Sequence, residues 1–129
     1  VKNGKGKILV MDDEETIRNV VGDILQYLGY NVDLAKDGEE AVSLYSGGSY
    51  DAVILDLTIP GGMGGKEALK RLREIDPDIK AIVSSGYSND PIMSDYVDYG
   101  FKGVIMKPYT ISEISNVLNY VISCCPSLL

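Results

Sequence analysis

Residues 51–56, Asp51-Ala52-Val53-Ile54-Leu55-Asp56, contain four consecutive apolar residues between two aspartates. A short run rich in β-branched side chains is typical of a strand that is buried on both faces, as in a parallel sheet. We therefore predict a strand over Asp51–Leu55. Similar runs predict further strands at Lys7–Met11, Asn31–Ala35, Lys80–Ser84 and Gly103–Met106. The second of these alternates apolar with polar residues, so we expect it at an edge of the sheet.

Segments of helical periodicity separate these runs, and this alternation predicts βα units around a parallel sheet. The predicted helices are Thr16–Leu28, Gly38–Tyr45, Gly65–Ile75, Pro91–Tyr99 and a last helix that follows Thr110. Gly29 ends the first helix, and Thr110 with Glu113 forms a capping box before the last. The residues expected to face the core are Ile17, Val20, Val21, Ile24, Leu25 and Leu28 in the first helix, and Ile111, Ile114, Val117, Leu118 and Val121 in the last.

Length and composition indicate one globular domain over residues 1–129, with its core over about 6–122. The net charge of −7 opposes direct contact with nucleic acid or anionic membranes. No apolar run reaches the roughly 20 residues that span a bilayer, and the first residues lack a signal-peptide core. We therefore expect a cytoplasmic protein. Cys124 and Cys125 are adjacent, which favours ordinary thiols over a disulfide framework or a zinc site.

Acidic residues follow two of the predicted strands. Asp12 and Asp13 come directly after the first, and Asp56 comes directly after the third. Loops at the carboxyl ends of parallel strands collect ligands, so we expect these carboxylates to converge at one edge of the sheet. Crowded carboxylates repel one another unless a cation lies among them, and hard oxygen ligands suit Mg²⁺. The alternative for Asp12 and Asp13 is that they only cap the first helix.

The chain resembles the receiver domain of response regulators from Gly6 to about Val121. Four motifs carry the resemblance: Asp12-Asp13 after the first strand, Asp56 with Pro60 four residues later, Ser84-Ser85-Gly86 after the fourth strand, and Lys107-Pro108-Tyr109 after the fifth. The resemblance implies a flavodoxin-like (βα)5 sandwich of three layers with strand order 2-1-3-4-5. This strand order is implied by the resemblance to the family, of which it is characteristic, and does not follow from the residue pattern. The local sequence over Pro60–Gly65 and over Ser85–Asp90 resembles that of receivers attached to hybrid sensor histidine kinases.

The resemblance also implies roles for individual residues. Asp56 is expected to accept a phosphoryl group from a histidine kinase or a histidine phosphotransfer domain. Mg²⁺ is expected on Asp12, Asp13, Asp56 and the backbone carbonyl of Thr58. Lys107 is expected to pair with a phosphoryl oxygen, and Ser85 to donate its hydroxyl to another in a switch of conformation. The domain is then a phosphoprotein of a two-component system rather than an enzyme, although it could hydrolyse its own aspartyl phosphate.

Plainer roles stay open for two of these residues. Lys107 could be a solvated lysine before a proline, and Ser85 could be a turn residue before Gly86. One position also departs from the family. Val104 stands three residues before Lys107, where many members have an aromatic switch residue. Output through the face of the fourth helix, fifth strand and fifth helix, where a homodimer is also possible, would then need another arrangement.

Two other protein classes share either the expected fold or the expected chemistry. A flavin-phosphate binder is disfavoured, because the four acids from Asp12 to Glu15 would repel the phosphate. A haloacid-dehalogenase-type phosphatase would have a second aspartate where Thr58 stands. Two alternatives remain: a receiver-fold interaction module that never carries phosphate, and the receiver segment of a larger hybrid histidine kinase.

Overall fold

The computed structural model describes residues 6–57, 63–86, 94–107 and 109–123. Within these ranges the strands are β1 (Lys7–Met11), β2 (Asn31–Ala35), β3 (Ala52–Asp56), β4 (Ala81–Ser85) and β5 (Gly103–Met106). The helices are α1 (Glu15–Tyr27), α2 (Gly38–Gly47), α3 (Gly65–Ile75) and α4 (Ile111–Ser123). Helix α4 corresponds to the last helix predicted from the sequence.

The strands form one parallel sheet in the order β2-β1-β3-β4-β5. This confirms the α/β, flavodoxin-like arrangement, and β2 lies at an edge as its alternating pattern predicts. In the register of the sheet, Met11 of β1 pairs with Leu55 of β3, and Asp56 pairs with Ser84 of β4. The residues that follow β1 and β3 therefore lie side by side at one end of the sheet.

Each face of the sheet carries an apolar core, because alternate residues of every strand point to opposite faces. The core under α2 and α3, called the α2/α3 core, includes Leu9, Met11, Val53, Leu55, Val83, Leu69, Leu72 and Phe101. The core under α1 and α4, called the α1/α4 core, includes Ile8, Val10, Ile54, Ile82, Ile105, Leu25, Leu28, Ile114 and Leu118. Burial of the central strands on both sides explains their near-continuous apolar sequences.

Polar caps and a glycine fix several helix ends. The Asp37 carboxylate accepts the N–H of Glu40 at 2.9 Å at the start of α2. The Thr110 hydroxyl accepts the N–H of Glu113 at 3.1 Å, as the capping-box pattern predicts. Gly29 has φ 101°, a left-handed conformation that other residues rarely adopt, and it follows α1 as expected.

Several boundaries and orientations differ from the prediction. β3 and β4 each begin and end one residue later than predicted, so Asp56 and Ser85 are the last residues of their strands. Val20 and Ile111 are 44% and 40% exposed, so placing them in the core was wrong. Val20 lies roughly 80° from the centre of the α1 stripe at 100° per residue, and Ile111 is the first residue of α4, where contact with the sheet has only begun.

The predicted helix Pro91–Tyr99 falls partly outside the described residues, which resume at Ser94. Over residues 95–101 the backbone forms successive turns, in which the N–H groups of Asp98, Tyr99 and Gly100 each bond a carbonyl three residues back. Cys124 and Cys125 also lie outside the described residues. None of the helices that the structure describes has the length and apolar character needed to cross a bilayer.

Candidate functional site

The structure brings together the three carboxylates that the sequence singles out. One oxygen from each of Asp12, Asp13 and Asp56 lies within 4.8 Å of the others. Asp12 follows β1 and Asp56 ends β3, and because these strands are neighbours, their side chains meet at the carboxyl end of the sheet. Asp12 and Asp56 are buried, at 1% and 4% exposed, whereas Asp13 faces solvent. The predicted convergence is confirmed.

Lys107 lies in the same cluster, although it comes from a more distant strand. Its Nζ is 2.8 Å from Asp12 Oδ2 and 3.3 Å from Asp56 Oδ1. β5 is separated from β3 by β4, so the lysine side chain has to cross one strand to reach the acids. The backbone N–H of Lys107 donates to the carbonyl of Ser85 at 3.0 Å, which fixes its starting point at the end of β4. Among described residues, Lys107 is thus in ion-pair contact with two of the acids.

The side-chain charges in this cluster do not balance, since it holds three carboxylates and the Lys107 ammonium group pairs with two of them. Burial and the neighbouring charge of Asp12 raise the pKa of Asp56 to about 6, and contact with Lys107 offsets only part of this. Burial by itself lowers the pKa of Lys107, but contact with Asp12 and the charge of Asp56 outweigh burial and raise it. Lys107 therefore stays protonated, and the excess negative charge falls on the carboxylates.

Asp12 uses its two carboxylate oxygens differently. Oδ1 accepts the N–H of Glu14 at 2.9 Å, just before α1 begins. Oδ2 is buried and accepts no hydrogen bond of ordinary geometry from the residues described, although the Lys107 ammonium group lies beside it. Helix α1 has Glu14 as its N-cap and no side-chain cap hydrogen bond, so Asp12 orders the loop before the helix and does not cap the helix itself.

These features fit a hard divalent cation. The cluster offers three carboxylate oxygens within 4.8 Å of each other, and one buried oxygen of Asp12 accepts no hydrogen bond from the described residues. Asp13 is exposed, so water can complete the coordination on its side. Oxygen donors in this number, with room for water, are the environment that Mg²⁺ prefers. Thr58, whose carbonyl was predicted as a further ligand, lies outside the described residues.

The other predicted positions are near the cluster. Ser85 is buried at the end of β4, next to the residue that pairs with Asp56. Val104 is half-buried on β5 and packs against the α2/α3 core, so no aromatic ring occupies that position. Pro60 and Pro108 lie outside the described residues.

Sequence reasoning missed two contacts at this site. The Arg18 guanidinium group donates to the backbone carbonyl of Asp12 at 2.8 Å and so ties α1 to the loop after β1. The hydroxyl groups of Ser84 and Tyr109 are hydrogen-bonded to each other. A serine that directly follows the apolar residues of a buried strand signals the second contact, because a buried hydroxyl needs a partner.

Gly65 shows how closely the chain packs around Asp56. A Cβ atom at Gly65 would lie 2.8 Å from the backbone carbonyl oxygen of Asp56. The N–H of Gly65 also donates to the carbonyl of Leu57 at 3.2 Å. The start of α3 is therefore in direct contact with the backbone that carries the buried aspartate, and only glycine fits there without a shift.

Comparison with known proteins agrees with this geometry. Residues 8–119 match the family model of the response regulator receiver domain. The chain is 34% identical over 116 residues to the chemotaxis protein CheY of Thermotoga maritima, covering 89% of this chain and 96% of that protein. It also superposes with TM-score 0.80 and 34% identity on the response regulator TrrA of the same organism, solved in complex with Mg²⁺-BeF, covering 89% of this chain and 97% of that one.

Relatives of greater length contain this chain as a segment. The chain spans 48% of the transcriptional regulatory protein YkoG of Bacillus subtilis, to which it is 34% identical over 85% of its own residues. It spans 12% of the sensor kinase CckA of Brucella abortus, at 31% identity over 90% of its own residues. The matched unit thus occurs both by itself and within larger proteins.

Proposed function

Because this chain belongs to the response regulator receiver family, we propose that it accepts a phosphoryl group on Asp56 and acts as a switch in a two-component phosphorelay. The observation that carries the proposal is the cluster of Asp12, Asp13 and Asp56 with Lys107 in contact with two of them. Receiver domains of two-component systems interact with histidine kinases or phosphotransfer proteins. We propose that the donor here is a phosphohistidine on such a partner.

Asp56 is the proposed nucleophile because it is buried at the mouth of the sheet and borders the other charged groups. One carboxylate oxygen of Asp56 attacks the phosphorus, the bond between phosphorus and the histidine nitrogen breaks, and the electron pair of that bond stays on the imidazole. The product is an aspartyl phosphate. The pKa of about 6 leaves Asp56 largely ionised, and so nucleophilic, near neutral pH.

Lys107 holds the transferred group in this proposal. Its ammonium is 3.3 Å from Asp56 Oδ1, so a phosphoryl group on Asp56 would have an oxygen within its reach. A charge-assisted hydrogen bond from this partly buried lysine to such an oxygen is stronger than a bond between neutral groups. Asp12, Asp13 and Asp56 would hold Mg²⁺, which supplies the positive charge that phosphoryl oxygens need during transfer. We also propose that the Ser85 hydroxyl moves to bind another phosphoryl oxygen. This movement of Ser85 would start the conformational switch.

The domain is proposed as an acceptor and not as an enzyme that releases a product, because the phosphoryl group stays on Asp56. Attack of water on the phosphorus would release phosphate and restore the carboxylate. We place the domain in the cytoplasm, where histidine kinases use ATP. The segment match to CckA supports a receiver within a longer sensor kinase as one setting for this chain.

The test is incubation with acetyl phosphate or phosphoramidate and Mg²⁺, followed by intact-mass measurement. Wild type should gain the mass of one phosphoryl group, and Asp56→Asn should gain none. Asp23→Asn, an exposed aspartate on α1, is the matched control and should behave as wild type. A wild type without added mass rules out the proposal in favour of an interaction module, and equal labelling of Asp56→Asn moves the acceptor to another residue.

A further inference from the structure

A buried pair of hydroxyl groups lies beside the acidic cluster and has no part in the function proposed above. Ser84 is 0% exposed near the carboxyl end of β4, and Tyr109 is half-buried after β5. Their hydroxyl groups are hydrogen-bonded to each other. A serine hydroxyl on an apolar sheet face would destabilise the fold without a partner, and a tyrosine hydroxyl carried there by its ring supplies one.

The register of the sheet places this pair next to the residues of the site. Ser84 pairs with Asp56 of β3 on one side and with Ile105 of β5 on the other. Residues paired in this way point to the same face of the sheet, and Lys107, two residues after Ile105, follows the same alternation. Ser84 therefore lies on the strand and on the face that the Lys107 side chain crosses to reach Asp56.

Backbone contacts join the same segments. The carbonyl of Ser84 accepts the N–H of Leu57 at 2.8 Å, and the carbonyl of Ser85 accepts the N–H of Lys107 at 3.0 Å. Residues 84 and 85 thus hold the chain that follows Asp56 on one side and the start of Lys107 on the other. The Ser84–Tyr109 bond adds a side-chain link two residues beyond Lys107, so the lysine is fixed on both sides of its own position.

Electrostatics place the Tyr109 hydroxyl within range of the cluster. Burial raises the pKa of Tyr109 to about 12, the bond to Ser84 and the charge of Lys107 oppose this, and the charges of Asp12 and Asp56 add to it. Tyr109 in turn contributes to the raised pKa of Lys107. The hydroxyl pair and the ammonium group therefore share one local environment.

We propose that Ser84 and Tyr109 are positioning residues, whose mutual hydrogen bond holds Lys107 at the place where it meets a phosphoryl group on Asp56. This inference rests on the proposed function. Neither hydroxyl needs to touch the phosphoryl group, because Tyr109 lies two positions after Lys107 in the sequence and Ser84 lies on the strand that the lysine side chain crosses. A long, flexible lysine side chain that crosses a whole strand gains most from a fixed starting point, since a small displacement of a reacting group lowers rates strongly.

The experiment compares phosphorylation time courses of wild type, Tyr109→Phe and Ser84→Ala with acetyl phosphate and Mg²⁺. Each variant removes one hydroxyl and keeps most of the packing. We expect the maximal rate constant to fall about tenfold in each. The half-saturating phosphodonor concentration and the apparent Mg²⁺ affinity should change less than twofold. Tyr120→Phe, which removes an exposed hydroxyl from α4, is the matched control and should keep the wild-type rate.

A second comparison separates positioning from general stability. In a Lys107→Ala background, Tyr109→Phe should change the rate less than twofold, because the group that it positions is gone. A further tenfold loss in that background would overturn the proposal, as would wild-type rates in both single variants. If Lys107→Ala is phosphorylated too slowly to measure, the single variants decide between positioning and general stability. A fall in the maximal rate constant with an unchanged half-saturating phosphodonor concentration supports positioning, and any other pattern overturns it.

The outcomes also separate this inference from the function on which it rests. A wild type that gains no phosphoryl mass overturns both. A wild type that is phosphorylated, with Tyr109→Phe and Ser84→Ala at its rate, overturns only the role of the hydroxyl pair. A loss of Mg²⁺ affinity as large as the loss of rate would assign the pair to the metal site and not to Lys107.

Discussion

Two regions of the sheet each pair a lysine with an aspartate, and they differ in burial and in charge balance. At the carboxyl ends of the strands, Lys107 Nζ lies 2.8 Å from Asp12 Oδ2, with side chains 19% and 1% exposed. Near the amino ends of β1 and β2, Lys7 Nζ lies 3.1 Å from Asp33 Oδ2, with side chains 41% and 38% exposed. The first region is called the acidic end and the second the Lys7 end.

Partners in the two regions explain the different electrostatics. At the Lys7 end, the Tyr50 hydroxyl donates to Asp33 Oδ2 at 2.6 Å, and this bond, with the contact to Lys7, lowers the pKa of Asp33. At the acidic end, burial and a second carboxylate raise the pKa of Asp56. A lysine by itself therefore does not stabilise a carboxylate. The number of carboxylates that share the lysine, and their exposure to water, decide whether the pKa of a carboxylate is raised or lowered.

The largest expected difference between the regions comes from removing each lysine. Lys107→Met should lower the free energy of unfolding by about 2–4 kcal/mol, because it leaves buried carboxylates without a cation. Lys7→Met, the matched change at the exposed pair, should cost less than about 1 kcal/mol. Urea unfolding without divalent ions measures both. Equal losses would show that burial does not separate the two pairs.

Mg²⁺ gives the next largest expected effect. The ion should raise the melting temperature of wild type, because it binds the folded cluster. Asp13→Asn, which removes an exposed carboxylate of that cluster, should weaken the apparent Mg²⁺ affinity by about 10- to 100-fold. Asp33→Asn at the Lys7 end should leave it unchanged. An Asp13→Asn protein that binds Mg²⁺ as wild type does would remove this residue from the metal site.

The two regions should also respond to pH in opposite directions. The pKa of Asp56 is raised from 3.8 to about 6, so the fold favours its protonated form, and this contribution is lost as the pH rises through about 6. Between pH 4 and 7.5 without divalent ions, wild type should therefore lose about 2 kcal/mol of stability relative to Asp56→Asn.

Asp33 supplies the opposite case for that measurement. Its pKa is lowered, so it stabilises the fold above its unfolded-state pKa, and that contribution is lost as the pH falls through the folded-state pKa. The stability of wild type relative to Asp33→Asn should accordingly fall as the pH is lowered. Two difference curves of the same sign would contradict the assignment of opposite shifts, and saturating Mg²⁺ should flatten only the Asp56 curve.

The smallest expected effect comes from Tyr50→Phe, which removes the hydrogen bond to Asp33 and keeps the ring. The ring stacks on Tyr45 at 5.7 Å between centroids, and that contact should persist. The loss should be about 0.5–1 kcal/mol, because the bond is partly exposed and water replaces it. Thermal unfolding measures it, and phosphoryl labelling serves as the control that should not change. An altered labelling rate would show that the two regions are coupled.

The sequence predicted most of the fold, because periodicity is a local property. Three strands and α3 have the predicted limits, and the remaining elements differ by one or two residues where they are described. The errors occur where the third dimension decides. Val20 and Ile111 belong to an apolar pattern, but Val20 lies at the side of the α1 stripe and Ile111 is the first residue of α4, and both are exposed. Sequence periodicity does not predict how wide the buried face of a helix is.

The acids of the site were also predictable from the sequence, since Asp12, Asp13 and Asp56 follow strands and parallel strands end at one edge. The sequence determined the fold class, the edge position of β2 and the chemistry that collects after β1 and β3. The tertiary structure decided three features that residue spacing does not predict. Lys107 reaches across β4, Asp12 Oδ2 is buried and accepts no hydrogen bond from the described residues, and the hydroxyl groups of Ser84 and Tyr109 are hydrogen-bonded. These contacts join residues that are distant in the chain, and only the strand order and register bring them within bonding distance.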